Sequence, residues 1–245
     1  MGDRPTHPEL LDWLACEFMR EGWSVKAMHR LIMTSSTYRQ SSAVTARCEQ
    51  LDPSNHFLSR MPMRRMDAEE LRDTLLALGG QLDETRFGPA EPVTIRADGL
   101  VLSGKRRSIY VQQLRKQSPS LLESFDLPAM NPNCLQRTDS LVAPQALHLL
   151  NDSSIREMAR QFATRVRRVA GDNPMRQVEH IYWVALSRPP SVEEMKICLE
   201  SLASFARQST ADVALAGESK AESSPDALAT LCHTVMNSAA FLYLD

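Results

Sequence analysis

Arginine side chains near the middle of the sequence are the groups most able to bind a ligand. Arg106 and Arg107 follow Lys105 directly, and Tyr110 comes shortly afterwards. A guanidinium group binds sulfate, phosphate or carboxylate through two parallel hydrogen bonds. If residues 106–112 form a strand, Arg106 and Arg107 point to opposite faces, so a binding site needs arginines from elsewhere in the chain. The anion-binding candidates are Arg64, Arg65, Arg106, Arg107, Tyr110 and Arg137.

Internal ion pairs are the alternative role for these arginines. The carboxylates within their reach are those of Glu69, Glu123 and Asp126, together with acids in the C-terminal part of the chain. Convergent arginines would indicate a domain that binds acidic or sulfated polysaccharide, or acts on it as an enzyme. Internal pairs would indicate a structural role instead. The spacing along the chain leaves both alternatives open.

Recognisable catalytic and cofactor motifs are missing from the sequence. It has no G-x-S-x-G turn for a nucleophilic serine and no glycine-rich loop for a phosphate or dinucleotide. It also lacks C-x-x-C, H-E-x-x-H and C-x-x-C-H, the spacings that zinc and covalently attached haem need. We therefore predict no catalytic residue, no metal site and no cofactor in this chain. A metal site assembled from distant residues is left open at this point.

The composition is that of an ordinary folded protein. Of the 245 residues, 43% are hydrophobic and 24% are charged, and the net charge is −2. Nucleic-acid binding normally needs a strongly basic surface, so we expect no nucleic-acid partner. The apolar runs are much shorter than the roughly 20 residues of a spanning helix, and the first residues do not form a signal peptide. The five cysteines are odd in number and scattered, which is not typical of a disulfide framework.

The hydrophobic spacing predicts a mainly α fold, a multi-helix orthogonal bundle with a small two-stranded β-element. Thr6 is the predicted cap of a first helix that ends at Gly22, with His7 bonding to the backbone there. Its apolar stripe is Leu10, Leu11, Leu14 and Phe18. Further helix starts are expected at Ser24, Asp67 with Glu70, Pro144, Asp152 or Ser153, Asn173, Ser191 with Glu194, and Pro225.

The domain plan follows from these elements. Alternating residues near 93–113, interrupted at Gly99 and Gly104, predict the β-element. We expect a single helical domain over residues 1–207 and a flexible connector over 208–224, which is rich in Ser, Ala and charge. Residues 225–245 should form a C-terminal helix that packs back on the domain.

Many of these residues together resemble one family, the planctomycete-associated domain of unknown function 1553. The resemblance covers nearly the whole chain. It is carried by Thr6 to Leu14, Gly22 to Ser24, His29 to Ile32, Ser36 to Ser42, Arg64-Arg65, Asp67 to Asp73, Arg107 to Tyr110, Phe125 to Pro128, Cys134, Arg137, Ala143 to Leu147, Leu150-Asn151, Leu186 to Pro190, Asn237-Ser238 and Phe241 to Asp245.

The resemblance implies a context but no reaction. In the family this domain tends to lie at the C-terminal end of large exported proteins, behind a cytochrome-c-like domain. That implies an extracytoplasmic location, periplasmic or at the cell surface, with haem in an upstream domain and a redox-linked or polysaccharide-processing setting. The motif residues of unknown role are His7, Glu9, Trp13, Arg30, Asp126, Gln145 and Asn151.

A further expectation concerns the start of the domain. Family members usually begin with an additional helical stretch before the His7-Pro8 segment, so the resemblance implies that this chain is an N-terminally truncated fragment. We expect a noncatalytic helical interaction module that docks onto that stretch and onto neighbouring domains of its parent protein. The hypothesis predicts an apolar exposed surface near Leu11, Trp13 and Phe18.

Overall fold

The computed structural model describes residues 4–97, 99–114, 118–128, 137, 140, 142–216 and 226–244, with the backbone alone for 209–216. The mainly α fold predicted from the sequence is confirmed. The contacts divide the chain into two compact units, one reaching to Arg64 and the other spanning Arg65–Leu244. The sequence analysis placed no boundary there, and its wider domain plan stays a prediction.

The first unit is a helical hairpin followed by a short helix. Helices α1 (Pro8–Arg20), α2 (Val25–Thr34) and α3 (Ala46–Leu51) are its regular elements. The capping residue of α1 is His7 rather than the predicted Thr6, and the His7 side chain does not cap the helix. Its Nδ1 atom lies 2.9 Å from the Thr6 hydroxyl, and the two side chains form a hydrogen bond with each other. Ser24 caps α2 as predicted, accepting a hydrogen bond from the Ala27 amide.

The first unit has no buried hydrophobic side chain among its described residues. Between residues 4 and 64 the single buried residue is Asp52, whose carboxylate accepts the backbone N–H groups of His56 and Phe57, each at 2.8 Å. Exposed large side chains are frequent by comparison, and Trp23 is 66% exposed. The regular helices of this unit therefore form without a hydrophobic core among their own residues.

The second unit is a helical bundle built around one long helix. Five hydrophobic residues of α7 are buried at the spacing of a single helix face, namely Ile155, Ala159, Phe162, Ala163 and Val166. Helix α7 packs against α4, α6, α8 and α10. The helices of this unit are α4 (Ala68–Leu78), α5 (Ser120–Ser124), α6 (Ala143–Asn151), α7 (Ser153–Ala170), α8 (Pro174–Leu186), α9 (Val192–Ala216), α10 (Ala227–Met236) and α11 (Ala239–Leu242).

Local capping signals position these helices. The Glu70 carboxylate accepts the backbone N–H of Asp67 at 3.0 Å, which forms the predicted capping box of α4. The same arrangement starts α9, where Ser191 and Glu194 bond to each other's backbone N–H groups. Hydrogen bonds from Arg188 lower the pKa of the Glu194 carboxyl to about 2.

The β-element differs from the prediction in its second strand. Strand β2 (Thr94–Ile95) pairs antiparallel with β3 (Val101–Leu102), which lies closer in sequence than the predicted strand over 106–112. Ser108–Tyr110 forms a 3₁₀ turn instead, because the Asp73 carboxylate accepts both the N–H and the hydroxyl of Ser108 at 2.7 Å. A second small sheet, which the sequence did not predict, joins β1 (Arg64–Arg65) to β4 (Tyr243–Leu244).

The last part of α9 overlaps the start of the segment predicted to be a connector, residues 208–224. Helix α9 continues to Ala216, since residues 208–216 contain Ala, Leu and Gln, which favour helix. The rest of the predicted connector, residues 217–224, lies outside the described residues.

Candidate functional site

The anion-binding candidates of the second unit have different partners, although Arg107 and Arg137 line the same hollow of about 590 Å³. Arg106 turns towards the protein itself, donating hydrogen bonds to the carbonyl oxygens of Thr85 (2.9 Å), Phe87 (2.7 Å) and Pro89 (2.9 Å). Its guanidinium carbon also lies 4.4 Å from the centre of the Tyr110 ring. Arg106 and Tyr110 therefore hold the loop over residues 85–89 in place.

Arg137 forms an ion pair with α4. Its two terminal nitrogens donate to the two carboxylate oxygens of Glu69 at 2.7 and 2.8 Å, and the Asp67 carboxylate lies 3.7 Å away. The hydrogen bonds from Arg137 lower the pKa of Glu69, more strongly than burial raises it. This arginine is thus one of those that pair with an internal acid.

Arg72 is extensively hydrogen-bonded, although no pattern in the sequence singled it out. Its side chain, only 4% exposed, donates to Gly104 O, Ser103 Oγ and Arg106 O. Burial lowers the pKa of its guanidinium group, and the charges of Asp73 and Glu91 oppose this shift. No local signal distinguishes Arg72, because all its partners except the adjacent Asp73 lie some 31 to 36 residues further along the chain.

The loop after β3 is held from its other side by a carboxylate. The two oxygens of Glu91 accept the backbone N–H groups of Lys105 (3.2 Å) and Arg106 (3.1 Å). A Cβ atom on Gly104 would lie 2.0 Å from Glu91 Oε1, so a larger residue there would displace the Glu91 carboxylate from these hydrogen bonds. The loop thereby places Arg107 at the surface, where its Nε atom lies 3.6 Å from the Asp73 carboxylate.

Arg65 belongs to a buried polar network. Its side chain is 5% exposed and donates to Asp126 Oδ2 at 2.7 Å, Gln145 Oε1 at 2.9 Å and Ser140 O at 2.6 Å. The Gln145 amide donates in turn to Ser140 O at 3.2 Å. Asp126 adopts a left-handed backbone conformation (φ 64°), which Asp and Asn tolerate better than most residues.

The charge of Asp126 is stabilised within this network. Burial alone would raise its pKa, but hydrogen bonds from Ser140 and the charge of Arg65 lower the pKa below its ordinary value. We call these four residues, Arg65, Asp126, Ser140 and Gln145, the buried network. It joins α6, the segment after α5 and the start of the second unit. Arg64, the remaining candidate, lies beside it in sequence as the first residue of β1.

A small hollow of about 210 Å³ adjoins the buried network. Its lining is mostly apolar and includes Phe125, Leu149, Leu242 and Tyr243. Several sequence segments that carry the family resemblance therefore meet here. Asn151, another motif residue of unknown role, ends α6.

The remaining motif residues lie on the hairpin of the first unit. His7 and Glu9 start α1, Trp13 is 51% exposed on α1, and Arg30 is exposed on α2. Leu14 and Phe18 are half-buried, whereas Leu11 is 56% exposed. We use the name hairpin surface for the exposed hydrophobic residues of α1, α2 and the turn between them: Leu10, Leu11, Trp13, Met19, Trp23, Val25, Leu31, Ile32 and Met33.

Metal and membrane sites are not found in the described part of the chain. Within those residues, no group of three or more His, Cys, Asp or Glu side chains is arranged to hold a metal ion. No helix among them has the length and hydrophobicity needed to span a membrane. Cys16, Cys48, Cys198 and Cys232 are free thiols, and Cys134 lies outside the described residues.

Comparisons with known proteins give one match. No curated protein and no solved structure matches the chain. The sequence model of one family, described as protein of unknown function (DUF1553), matches residues 1–202, which is most of the chain. The chain therefore belongs to the DUF1553 family, as the resemblance of its motifs implied.

Proposed function

We propose that this chain is a noncatalytic docking module that binds other parts of its parent protein through the hairpin surface. One observation carries the proposal: residues 4–64 form two amphipathic helices without burying a single hydrophobic side chain. A monomeric protein rarely exposes a large contiguous apolar patch unless that patch binds something. The hairpin surface has the composition of such a patch.

The free energy expected from covering the hairpin surface supports a stable contact rather than a transient one. Full burial of a large hydrophobic side chain contributes about 1.5 to 3 kcal/mol. Leu11, Trp13 and Trp23 are each more than half exposed, so covering these three alone would contribute several kcal/mol, of the order of ~3. An isolated helical hairpin gains much of its stability from such packing.

We propose the occupant from the family resemblance. The helical stretch that usually precedes the His7-Pro8 segment in this family would lie beside α1 in the chain. We propose further that the parent is an exported planctomycete-type protein with a cytochrome-c-like domain, so that haem belongs to that upstream domain. The setting would be extracytoplasmic and redox-linked.

The positions of the arginines favour docking over the alternative of a site for acidic or sulfated polysaccharide. Arg65 and Arg137 pair with internal carboxylates, and Arg106 donates to backbone carbonyls. Such side chains are already neutralised or engaged, so they provide little attraction for an anionic polymer.

A Leu11→Gln substitution tests the docking proposal. The variant is made both in this chain and in a longer form that also contains the segment preceding it in the parent. In the longer form we expect wild type to melt at least about 4 °C higher than the Leu11→Gln variant, since 1 kcal/mol corresponds to about 2 to 4 °C at this size. In the shorter form the two should differ little, because Leu11 is 56% exposed.

Ile197→Gln is the matched control, since Ile197 is 61% exposed on α9. It should leave both melting temperatures unchanged. Equal melting temperatures of wild type and Leu11→Gln in the longer form would exclude Leu11 from the docking contact. Binding of an apolar fluorescent dye should also be lower in the longer form.

A further inference from the structure

A hollow in the second unit gathers four arginines from three separate parts of the sequence. Its volume is about 840 Å³, and it opens beside the C-terminal end of α4. Arg86 comes from the loop after α4, Arg107 from the 3₁₀ turn region, and Arg165 and Arg168 from α7. We call it the arginine hollow. Arg107 alone was among the candidates taken from the sequence.

Two of the four arginines have no polar partner in the described part of the protein. Arg86 and Arg168 form no hydrogen bond or ion pair with any described residue, and both are exposed. Arg165 uses one nitrogen, Nη1, to bond the carbonyl oxygens of Ala77 (3.0 Å) and Leu78 (3.4 Å). Its other N–H groups are not engaged by described residues, so three guanidinium groups retain donors for a ligand.

The charge balance of the hollow is positive. Asp73 and Glu84 are the acids in its lining. Asp73 accepts hydrogen bonds from Ser108 and Arg72 and lies 3.6 Å from Arg107 Nε, so it is shared between two arginines and offsets only part of the charge of the hollow. Like charges held close together destabilise each other unless an anion lies between them. The arginine hollow therefore favours a ligand with at least one strongly anionic group.

A second observation points to a ligand in the same region. A smaller hollow of about 300 Å³ shares Gly80, Arg165 and Arg168 with the first one and is also lined by Gln161. The Oε1 atom of Gln161 is buried, and no described residue donates a hydrogen bond to it. Buried acceptors normally have a donor, and a turn of the Gln161 side chain into the smaller hollow would bring this acceptor to a ligand hydroxyl.

We propose that the arginine hollow binds a small molecule that carries a sulfate or phosphate group and a hydroxyl group. Guanidinium groups bind such oxyanions through paired hydrogen bonds, and the combined volume leaves space for the rest of the ligand. The hydroxyl would donate to Gln161 Oε1. This site is independent of the hairpin surface, so it can fail or stand without affecting the docking proposal.

Titrations followed by nuclear magnetic resonance of the arginine Nε–H groups test the proposal. The probes are inorganic sulfate, inorganic phosphate, glucose 6-sulfate, glucose 6-phosphate and uncharged glucose, each at an ionic strength fixed with chloride. We expect saturable shifts with the four anions and none with glucose. The sugar esters should bind more tightly than the inorganic ions. The two ester titrations also tell whether sulfate or phosphate is preferred.

Matched variants locate the binding. Arg168→Gln and Arg86→Gln should each weaken the ester about tenfold, as expected for a lost charged hydrogen bond. Arg176→Gln, an equal charge change at an exposed position of α8, should leave affinity unchanged. Gln161→Leu should remove the advantage of the esters over the inorganic ions and leave binding of the ions intact.

Two results would overturn the anion site, and a third would overturn the hydroxyl contact. Shifts that do not saturate, or that chloride reproduces, would show unspecific screening only. Equal affinities of Arg168→Gln and Arg176→Gln would place the anion outside the arginine hollow. An unchanged ester affinity in Gln161→Leu would remove the hydroxyl from the description of the ligand.

Discussion

Asp126→Asn should lower the free energy of unfolding by about 3 kcal/mol, because it removes the carboxylate that compensates the buried Arg65. The Arg65 side chain is only 5% exposed and has Asp126 as an ion-pair partner at 2.7 Å. Asparagine keeps the left-handed backbone of position 126 accessible, so the substitution removes charge without adding backbone strain. Asp126→Ala should cost a further 1 kcal/mol or so, because alanine tolerates that conformation less well. Urea unfolding measures both effects.

Glu157→Gln is the control for this prediction. Glu157 pairs with Arg160 on α7, where the two side chains are 51% and 62% exposed. Exposed pairs contribute about 0 to 1 kcal/mol, so the control should change stability by less than that. If Asp126→Asn proved no more destabilising than Glu157→Gln, the buried network would not hold the second unit together.

The same network predicts an acid dependence of stability. The pKa of Asp126 is lower in the folded protein than its ordinary value of about 4. A lowered pKa contributes stability that is complete above the unfolded-state value and is lost as the pH falls through the folded-state value. Between pH 5 and pH 3 the wild type should therefore lose more stability than Asp126→Asn. Parallel losses in the two proteins would contradict this assignment.

Hydrogen exchange should differ strongly between the two units. Amides in α1 and α2 should exchange at least about 100-fold faster than those in the middle of α7, which corresponds to roughly 2.7 kcal/mol of local stability. The reason is burial: α1 and α2 have no buried residue, whereas α7 has five. Exchange measured by mass spectrometry on this chain alone resolves the difference.

A control within the same experiment is α4. It lies in the same unit as α7 and buries Leu71, Leu75 and Leu78. Its amides should therefore be protected from exchange to a similar degree. Equal protection of α1 and α7 would mean that the hairpin is stable without a partner. The exposed hairpin surface would then give no reason to propose docking.

Sequence reasoning succeeded where the signal is local. Ser24, Asp67 with Glu70, and Ser191 with Glu194 start helices as predicted, because a cap and its partner lie within three residues of each other. It failed at residues 106–112, where the alternation suggested a strand. There the conformation is decided by Asp73, which lies 35 residues before Ser108.

The pairing of arginines with acids also could not be predicted from the sequence alone. Glu69 and Asp126 were named as possible internal partners, and the structure pairs them with Arg137 and Arg65. Which acid meets which arginine depends on the packing of α4 and α6, which spacing alone does not contain. The arginine hollow was missed because its four arginines, from Arg86 to Arg168, are spread over three distant segments. Of these four, only Arg107 lies in the basic segment around residue 106.

The most direct test of the docking proposal is hydrogen exchange of α1 and α2 with and without the helical stretch that the proposal places before the chain. We predict that the preceding segment slows exchange in both helices by a factor of 10 or more, that is by about 1.4 kcal/mol or more, and leaves α7 unchanged. Unchanged exchange of α1 and α2 in the longer protein would contradict the account, because the hairpin surface would then remain uncovered.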